Sequence, residues 1–267
     1  MEKIGILYIC TGKYIEFWQS FYESSQKHFL LDDAYEKHYF VFTDSETIAY
    51  GNESFVHKIY QKPLAWPFIT LHRFKIFNSV SMELENMDYL YFFNANMLFI
   101  SNVDSSFLPD KNQNFSFVKH PGFFNKAREK YTYDNNPKSL AYVSMNEGEY
   151  YFMGGLNGGF KTPYLDMIRI LERNIDVDEK NSIIALWHDE SHLNRFAIDH
   201  HNEIKVLDSS YGYAEDWNLP FDAKIIIRDK DKFGGHYFLR GEKPAFKPML
   251  KLKSKLKNIL SKLKLNK

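Results

Sequence analysis

The sequence predicts an α/β protein with a mostly parallel, doubly wound sheet. Short apolar runs rich in β-branched and aromatic residues recur through the first third of the chain, each closed by a polar turn. Segments of helical periodicity stand between them, the order that a parallel sheet with crossover helices requires. The 267 residues suffice to bury a core without a disulfide or metal staple.

Ile4-Gly-Ile-Leu-Tyr-Ile9 reads as a buried first strand. It breaks at Cys10-Thr-Gly-Lys13 and gives way to a helix, because Tyr14, Phe17, Trp18, Phe21 and Tyr22 fall at i, i+3 and i+4 spacing. Strand, glycine-containing turn and helix open many nucleotide-binding α/β units, although one glycine is a weaker signal than GxGxxG. His38–Phe42, ending in Thr43-Asp44, is the expected second strand and Val56–Tyr60 the third, followed by a helix around Ile69–Val80. Tyr89-Leu-Tyr-Phe-Phe93 is the most apolar strand and ends at Asn94-Ala-Asn96. Residues 101–150 look irregular, with three prolines and many asparagines, and a loop region that long in a compact chain is usually functional. Beyond it come Tyr150-Tyr-Phe-Met-Gly-Gly-Leu-Asn-Gly-Gly159, an amphipathic helix near Tyr164–Asn174, and Trp187-His-Asp-Glu-Ser-His-Leu-Asn194.

Composition narrows the class. Hydrophobic residues make up 44% and charged residues 25%, which excludes global disorder. Aromatics reach 17%, and their faces suit sugar rings and bases as well as a Phe-rich core. A single cysteine, Cys10, excludes a disulfide framework and a cysteine-rich zinc module. The net charge of zero conceals a segregation: residues 247–267 hold eight lysines and no acid, which leaves residues 1–246 with 26 basic against 34 acidic side chains. An acidic body with a short basic tail does not suit a nucleic-acid binder. One domain is expected over 1–246, with 247–267 a basic amphipathic tail, since Met249, Leu252, Leu256, Ile259, Leu260 and Leu263 fall at helical spacing among the lysines. Such a tail can dock on an anionic membrane surface or act as a loose solubilising segment. The N-terminus lacks signal-peptide features and there is no run of 18 apolar residues, so the expected location is cytoplasmic, peripheral on the inner face of the cell membrane.

Chemistry concentrates at three places. Asn94 and Asn96 are two apart at a strand end, so in extended geometry they share a face, and carboxyl ends of strands are where open α/β sheets bind ligands. Neutral amides offer hydrogen bonds to a sugar or phosphate, but hard divalent ions want carboxylates, so no Mg²⁺ or Mn²⁺ is expected here. Capping of the strand end is the other reading of the pair. Met153-Gly154-Gly155 with Gly158-Gly159 allows close backbone approach to a ligand, or tight packing at a turn. In Trp187-His188-Asp189-Glu190-Ser191-His192 the two histidines are four apart, yet Asp189 stands where a zincin has Glu and no third ligand is evident. The two acids either favour a helix dipole or carry acid or nucleophile chemistry.

Several segments together resemble glycosyltransferase family 6: Lys13-Tyr-Ile-Glu-Phe, Lys27-His-Phe, Val41-Phe-Thr-Asp44, His120-Pro-Gly-Phe, Arg128-Glu with Thr132-Tyr, Met153-Gly-Gly with Gly158-Gly159, and Trp187-His-Asp-Glu-Ser-His-Leu-Asn194. That family includes the vertebrate histo-blood-group A and B transferases, α-1,3-galactosyltransferases and bacterial members, and the similarity runs in order over about residues 5–240. One departure is plain: Asn94-Ala-Asn96 stands where animal members have Asp-Val-Asp, a change that some bacterial, metal-independent members share.

The resemblance implies a GT-A type nucleotide-sugar transferase fold with a mostly parallel central sheet and flanking helices. It also implies a retaining hexosyltransferase that moves Gal or GalNAc from UDP in α-1,3 linkage to a galactoside, often a fucosylated one such as 2′-fucosyllactose, with no metal cofactor. By position, Thr11 and Tyr14 are expected near the nucleoside, Arg73 at the donor, Asp189 on the donor sugar and Glu190 as the catalytic carboxylate beneath its anomeric carbon. Asn94 and Asn96 are expected at the donor too, and Lys230, Lys232 and Arg240 are the candidates to neutralise the diphosphate in place of a metal. His120, Thr132 and Trp187 match acceptor positions. Met153-Gly154-Gly155 matches the donor-selecting segment. There Gly155 leaves room for an acetamido group, which favours UDP-GalNAc, whereas Met153 resembles the residue of UDP-Gal enzymes. The other readings are an α-1,3-galactosyltransferase and a non-catalytic sugar- or nucleotide-binding module.

Overall fold

The structure is a computed structural model and describes residues 1–242. The expected tail at 247–267 lies outside them. In chain order the elements are β1 (Glu2–Ile9), α1 (Trp18–His28), β2 (Tyr35–Thr43), β3 (Val56–Tyr60), α2 (Phe68–Leu71), α3 (Arg73–Asn78), β4 (Tyr89–Phe93), β5 (Met97–Phe99), β6 (Phe115–Lys119), β7 (Phe152–Phe160), α4 (Lys161–Lys180), α5 (Asp189–Asp199), β8 (Ile204–Leu207), β9 (Tyr213–Ala214), β10 (Ile225–Ile227) and α6 (Gly235–Leu239).

Seven strands form the main sheet in the order β3-β2-β1-β4-β7-β6-β8. All neighbours run parallel except β7, which is antiparallel to both β4 and β6. This is the mostly parallel α/β sheet with flanking helices expected of the GT-A type. Parallel strands covered on both faces read as continuous apolar runs, as β1 and β4 do. Ile4, Ile6 and Tyr8 face one core with Trp18, Phe21 and Phe93. Leu7 faces the other with Phe74, Phe77 and the α4 stripe Tyr164, Met167, Ile168 and Leu171. Most of the aromatic excess is therefore core, and each fully buried ring contributes about 2–3 kcal/mol.

Several elements differ from the sequence expectation. The helix expected over Ile69–Val80 is two short helices separated at His72. The helix near Tyr164–Asn174 extends over Lys161–Lys180. Residues 101–150, read as irregular, contain β6, whose few residues gain their strand geometry by pairing between β7 and β8. The glycine cluster is not a turn but the central strand β7. A Cβ at Gly158 would lie 2.1 Å from the Tyr91 ring and 2.5 Å from the Leu90 carbonyl, so the pairing of β7 on β4 demands the missing side chain. Because β7 runs backwards, its first residues lie beside the carboxyl end of β4, with Phe93 opposite Leu156. The small sheet β5-β10-β9 continues from that same end. No helix among the described residues is long and apolar enough to cross a membrane.

Candidate active site

A cavity of about 270 Å³ opens at the carboxyl ends of β1 and β4, lined by Thr11, Gly12, Tyr14, Trp66, Thr70, Arg73, Asn94, Lys230 and Arg240 among others. Gly12 turns the chain out of β1 at φ +60 and donates its N–H to Asp44 at 2.7 Å; a residue with a Cβ would be strained in that conformation. Three cations converge here. Arg73 is buried at 8% exposure, its guanidinium over the Phe92 ring at 4.1 Å. Arg240 stacks on Trp66 at 4.8 Å, and Lys230 lies 5.4 Å from the Tyr14 ring. Burial, then the neighbouring charges of Arg240 and Arg73, lower the Lys230 ammonium to about 8. A pocket that concentrates positive charge suits an anion.

Two acids face this group, Glu242 paired loosely with Arg240 at 4.0 Å and Asp189 paired closely with Arg73. Arg73 Nη1 pairs with Asp189 Oδ2 at 2.5 Å and also donates to the Gly154 carbonyl at 2.7 Å. Burial raises the Asp189 carboxyl to about 7, with the Arg73 charge opposing and the adjacent Glu190 adding to the rise. Asp189 and Glu190 open α5, where carboxylates are favoured by the helix dipole. His188, just before them, is held at φ 55, a strained conformation for a residue with a Cβ, and its ring meets Trp66 edge-on at 5.2 Å.

Glu190 is held through both of its carboxylate oxygens. Its Oε2 accepts the Gly154 N–H at 2.7 Å and its Oε1 accepts the Tyr151 hydroxyl at 2.9 Å. Desolvation raises its pKa against the pull of those two bonds and of Arg73. Asn194, one helical turn on and 1% exposed, fixes α5 to β7: its amide donates to the carbonyls of Phe152 (2.8 Å) and Glu190 (2.9 Å) and accepts the Phe152 N–H (2.9 Å).

The three residues matched to acceptor positions border this carboxylate. His120 packs edge-on against Tyr151 at 5.9 Å, and its Nδ1 accepts the Gly122 N–H at 3.0 Å. Burial lowers it to about 4, so it is neutral at pH 7. Thr132 lies beside the Tyr151 hydroxyl. Trp187 is half exposed, its carbonyl accepting the Glu190 N–H at 3.0 Å. On the opposite face of β7, a Cβ at Gly155 would lie 3.0 Å from the Met153 methyl and 3.4 Å from Asn94 Cβ.

Two expected donor residues stand apart from the cavity. Lys232 is exposed and pairs with Asp216 (2.6 Å) and Glu215 (3.4 Å), which hold its ammonium outside. Asn96 does not share a cavity-facing side with Asn94: it is 2% exposed and donates to the Arg228 carbonyl at 2.7 Å, while accepting from Asn94 Nδ2 at 3.0 Å. Strand geometry ends at Phe93, so the alternation that would place both on one face no longer applies. With neutral amides already bonded to each other and to a carbonyl, the pair does not fit a hard divalent cation. Among the described residues no three His, Cys, Asp or Glu side chains gather to hold a metal ion, and the zinc reading fails because His188 faces Trp66 while His192 is buried beside Asp178. Tyr151, Trp66 and Asn194 are site residues that pattern reading did not single out, although Tyr151 and Asn194 lie inside the two motifs quoted above.

The model of glycosyltransferase family 6 matches residues 2–232. The chain belongs to glycosyltransferase family 6. Its similarity to the O-antigen biosynthesis glycosyltransferase WbnI of Escherichia coli is 33% identity over 229 residues, covering 86% of this chain and 95% of that protein. It is 32% identical over 230 residues to the globoside alpha-1,3-N-acetylgalactosaminyltransferase 1 of Mus musculus and 30% over 216 residues to the histo-blood group ABO system transferase 1 of Rattus norvegicus. The match covers 84% and 78% of this chain but only 64% and 60% of those two animal proteins. As a family 6 member the chain is a histo-blood-group-like glycosyltransferase.

Proposed function

We propose that the chain is a retaining α-1,3-N-acetylgalactosaminyltransferase that moves GalNAc from UDP-GalNAc to a fucosylated β-galactoside without a divalent metal. The observation that carries this reading is Glu190, fixed through both oxygens by Gly154 and Tyr151, with the Gly154 carbonyl in turn holding Arg73 of the cavity that Lys230 and Arg240 also line. In this reading the diphosphate occupies the cationic cavity, and Lys230 and Arg240 offset the charge that develops as UDP departs. The Arg73–Asp189 pair orients donor hydroxyls. Glu190, partly desolvated and thus more basic than a free carboxylate, meets the positive charge that builds at the anomeric carbon. Trp187 offers an aromatic face to the acceptor galactose. Metal independence is supported by the neutral, internally bonded Asn94–Asn96 pair and by the cations that stand in its place.

One observation favours the alternative donor. The Met153 methyl sits where it borders the space over Gly155, so the room that glycine provides for an acetamido group is partly filled. A thioether side chain can move, which is why UDP-GalNAc remains the favoured donor. The test is transfer to 2′-fucosyllactose in excess EDTA from both UDP-sugars in competition. GalNAc product with EDTA present is expected. Preferential Gal transfer would overturn the donor, activity only after Mn²⁺ addition would overturn metal independence, and UDP binding with no transfer would leave a non-catalytic binding module.

A further inference from the structure

Asn96 sits at the strand end where a metal ligand would stand, yet it faces a backbone. Its Nδ2 donates to the Arg228 carbonyl at 2.7 Å, and its own carbonyl accepts the Arg228 N–H at 2.8 Å, a two-point attachment. Arg228 directly follows β10 and is itself embedded: its guanidinium lies 5.3 Å from the Phe17 ring and 4.3 Å from the Phe233 ring, and donates to Ser20 Oγ at 2.8 Å. Two residues further on, Lys230 enters the anion cavity.

The hydrogen bonds have a direction. A backbone carbonyl only accepts, so Asn96 must turn its nitrogen toward Arg228; its Oδ1 is then left to accept from Asn94 Nδ2 at 3.0 Å. An aspartate at 96 would set a carboxylate oxygen against that carbonyl in a buried position, with no donor between them. We propose that Asn96 is a positioning residue that fastens the root of the 228–240 segment to the end of β4 and thereby sets Lys230 in the cavity. The asparagine thus replaces a metal ligand by anchoring the cation that does the metal's electrostatic work. This rests on the reading of the cavity as a nucleoside diphosphate site.

The test has two arms on the full chain. Hydrogen exchange without ligand reads the fastening: peptides spanning 225–240 should exchange at least about tenfold faster in Asn96→Ala and Asn96→Asp than in wild type. Calorimetric titration with UDP reads the consequence. Asn96→Ala should weaken UDP about tenfold in the wild-type background and less than about twofold in the Lys230→Ala background, a coupling that general loss of stability would not produce. Asn96→Ser, which keeps a donor hydroxyl, serves in both arms if the alanine variant does not fold. Unchanged exchange would overturn the fastening, and equal losses in both backgrounds would overturn the link to Lys230. So would recovery of UDP affinity in Asn96→Asp on adding Mn²⁺. Faster exchange in a protein whose wild type does not bind UDP would leave the fastening standing and remove the nucleotide reading instead.

Discussion

Lys230 gives the sharpest test of the anion cavity, and the perturbation is pH. Its environment lowers the ammonium from 10.5 to about 8 through burial and two neighbouring cations. At 1.36 kcal/mol per unit this is roughly 3 kcal/mol of lost preference for the charged form. A diphosphate supplies the negative charge that the empty cavity lacks, so its binding restores the ammonium. Binding UDP at pH 8 should then take up about half a proton, rising toward a whole proton at pH 9, and the affinity should fall about tenfold between pH 7 and pH 9. The sign follows from Lys230 being charged below 8 and neutral above it: the favourable contact is fully present at lower pH and lost as pH rises. Calorimetry of UDP binding in buffers of different ionisation enthalpy measures the proton uptake directly. Lys230→Arg, which cannot lose its charge, should abolish the uptake and flatten the affinity. Affinity that is flat from pH 7 to 9 in wild type, with no proton uptake, would refute the placement of Lys230 against the diphosphate.

Glu190→Gln should lower transfer more than about a thousandfold while UDP binding changes less than twofold, measured by product formation beside calorimetry; comparable turnover would remove Glu190 from the chemistry. The acid limb of kcat/KM should rise as pH passes about 7, where the buried Asp189 ionises, and Asp189→Asn should erase that limb along with most activity. Gly155→Ala should fold, because the tightest contact of the Cβ is with the mobile end of Met153 at 3.0 Å while Asn94 Cβ lies at an ordinary 3.4 Å, and should shift the UDP-Gal to UDP-GalNAc ratio toward Gal by about tenfold. Asn194→Ala removes two buried hydrogen bonds between α5 and β7 and one within α5 and should cost about 2–4 kcal/mol in denaturant unfolding, with transfer falling beyond what the loss of folded protein explains.

Strands covered on both faces are the plainest in the sequence, although the exposed edge strand β3 is legible as well. Ile4–Ile9 and Tyr89–Phe93 announce themselves because covered parallel strands are apolar throughout. The glycine-rich β7 is illegible as a strand, since its glycines carry no strand preference; they are needed because the Tyr91 ring fills the space over Gly158 and the Asn114 carbonyl the space over Gly159. The short strands β6, β8 and β10 were equally hidden, being defined by their partners rather than by their own few residues.

At the site the division is similar. Asp189 and Glu190 were legible as adjacent acids in one motif, which α5 holds together locally, whereas Arg73 was placed only by the family resemblance. What sequence spacing could not decide is which polar side chains turn inward. Asn94 and Asn96 look equivalent, yet only Asn94 reaches the cavity, because the Arg228 carbonyl, 132 residues away in the chain, claims the other amide. Lys230 and Lys232 look equivalent too, but Glu215 and Asp216 hold one outside while the other enters a pocket with like charges. Residue types and local periodicity thus indicate the fold class, and the ordered motifs indicate the family. Partner choice for each polar group depends on atoms brought together across the sheet, which only the tertiary structure decides, because hydrogen bonds and charges act over a few ångströms in space and are indifferent to separation along the chain.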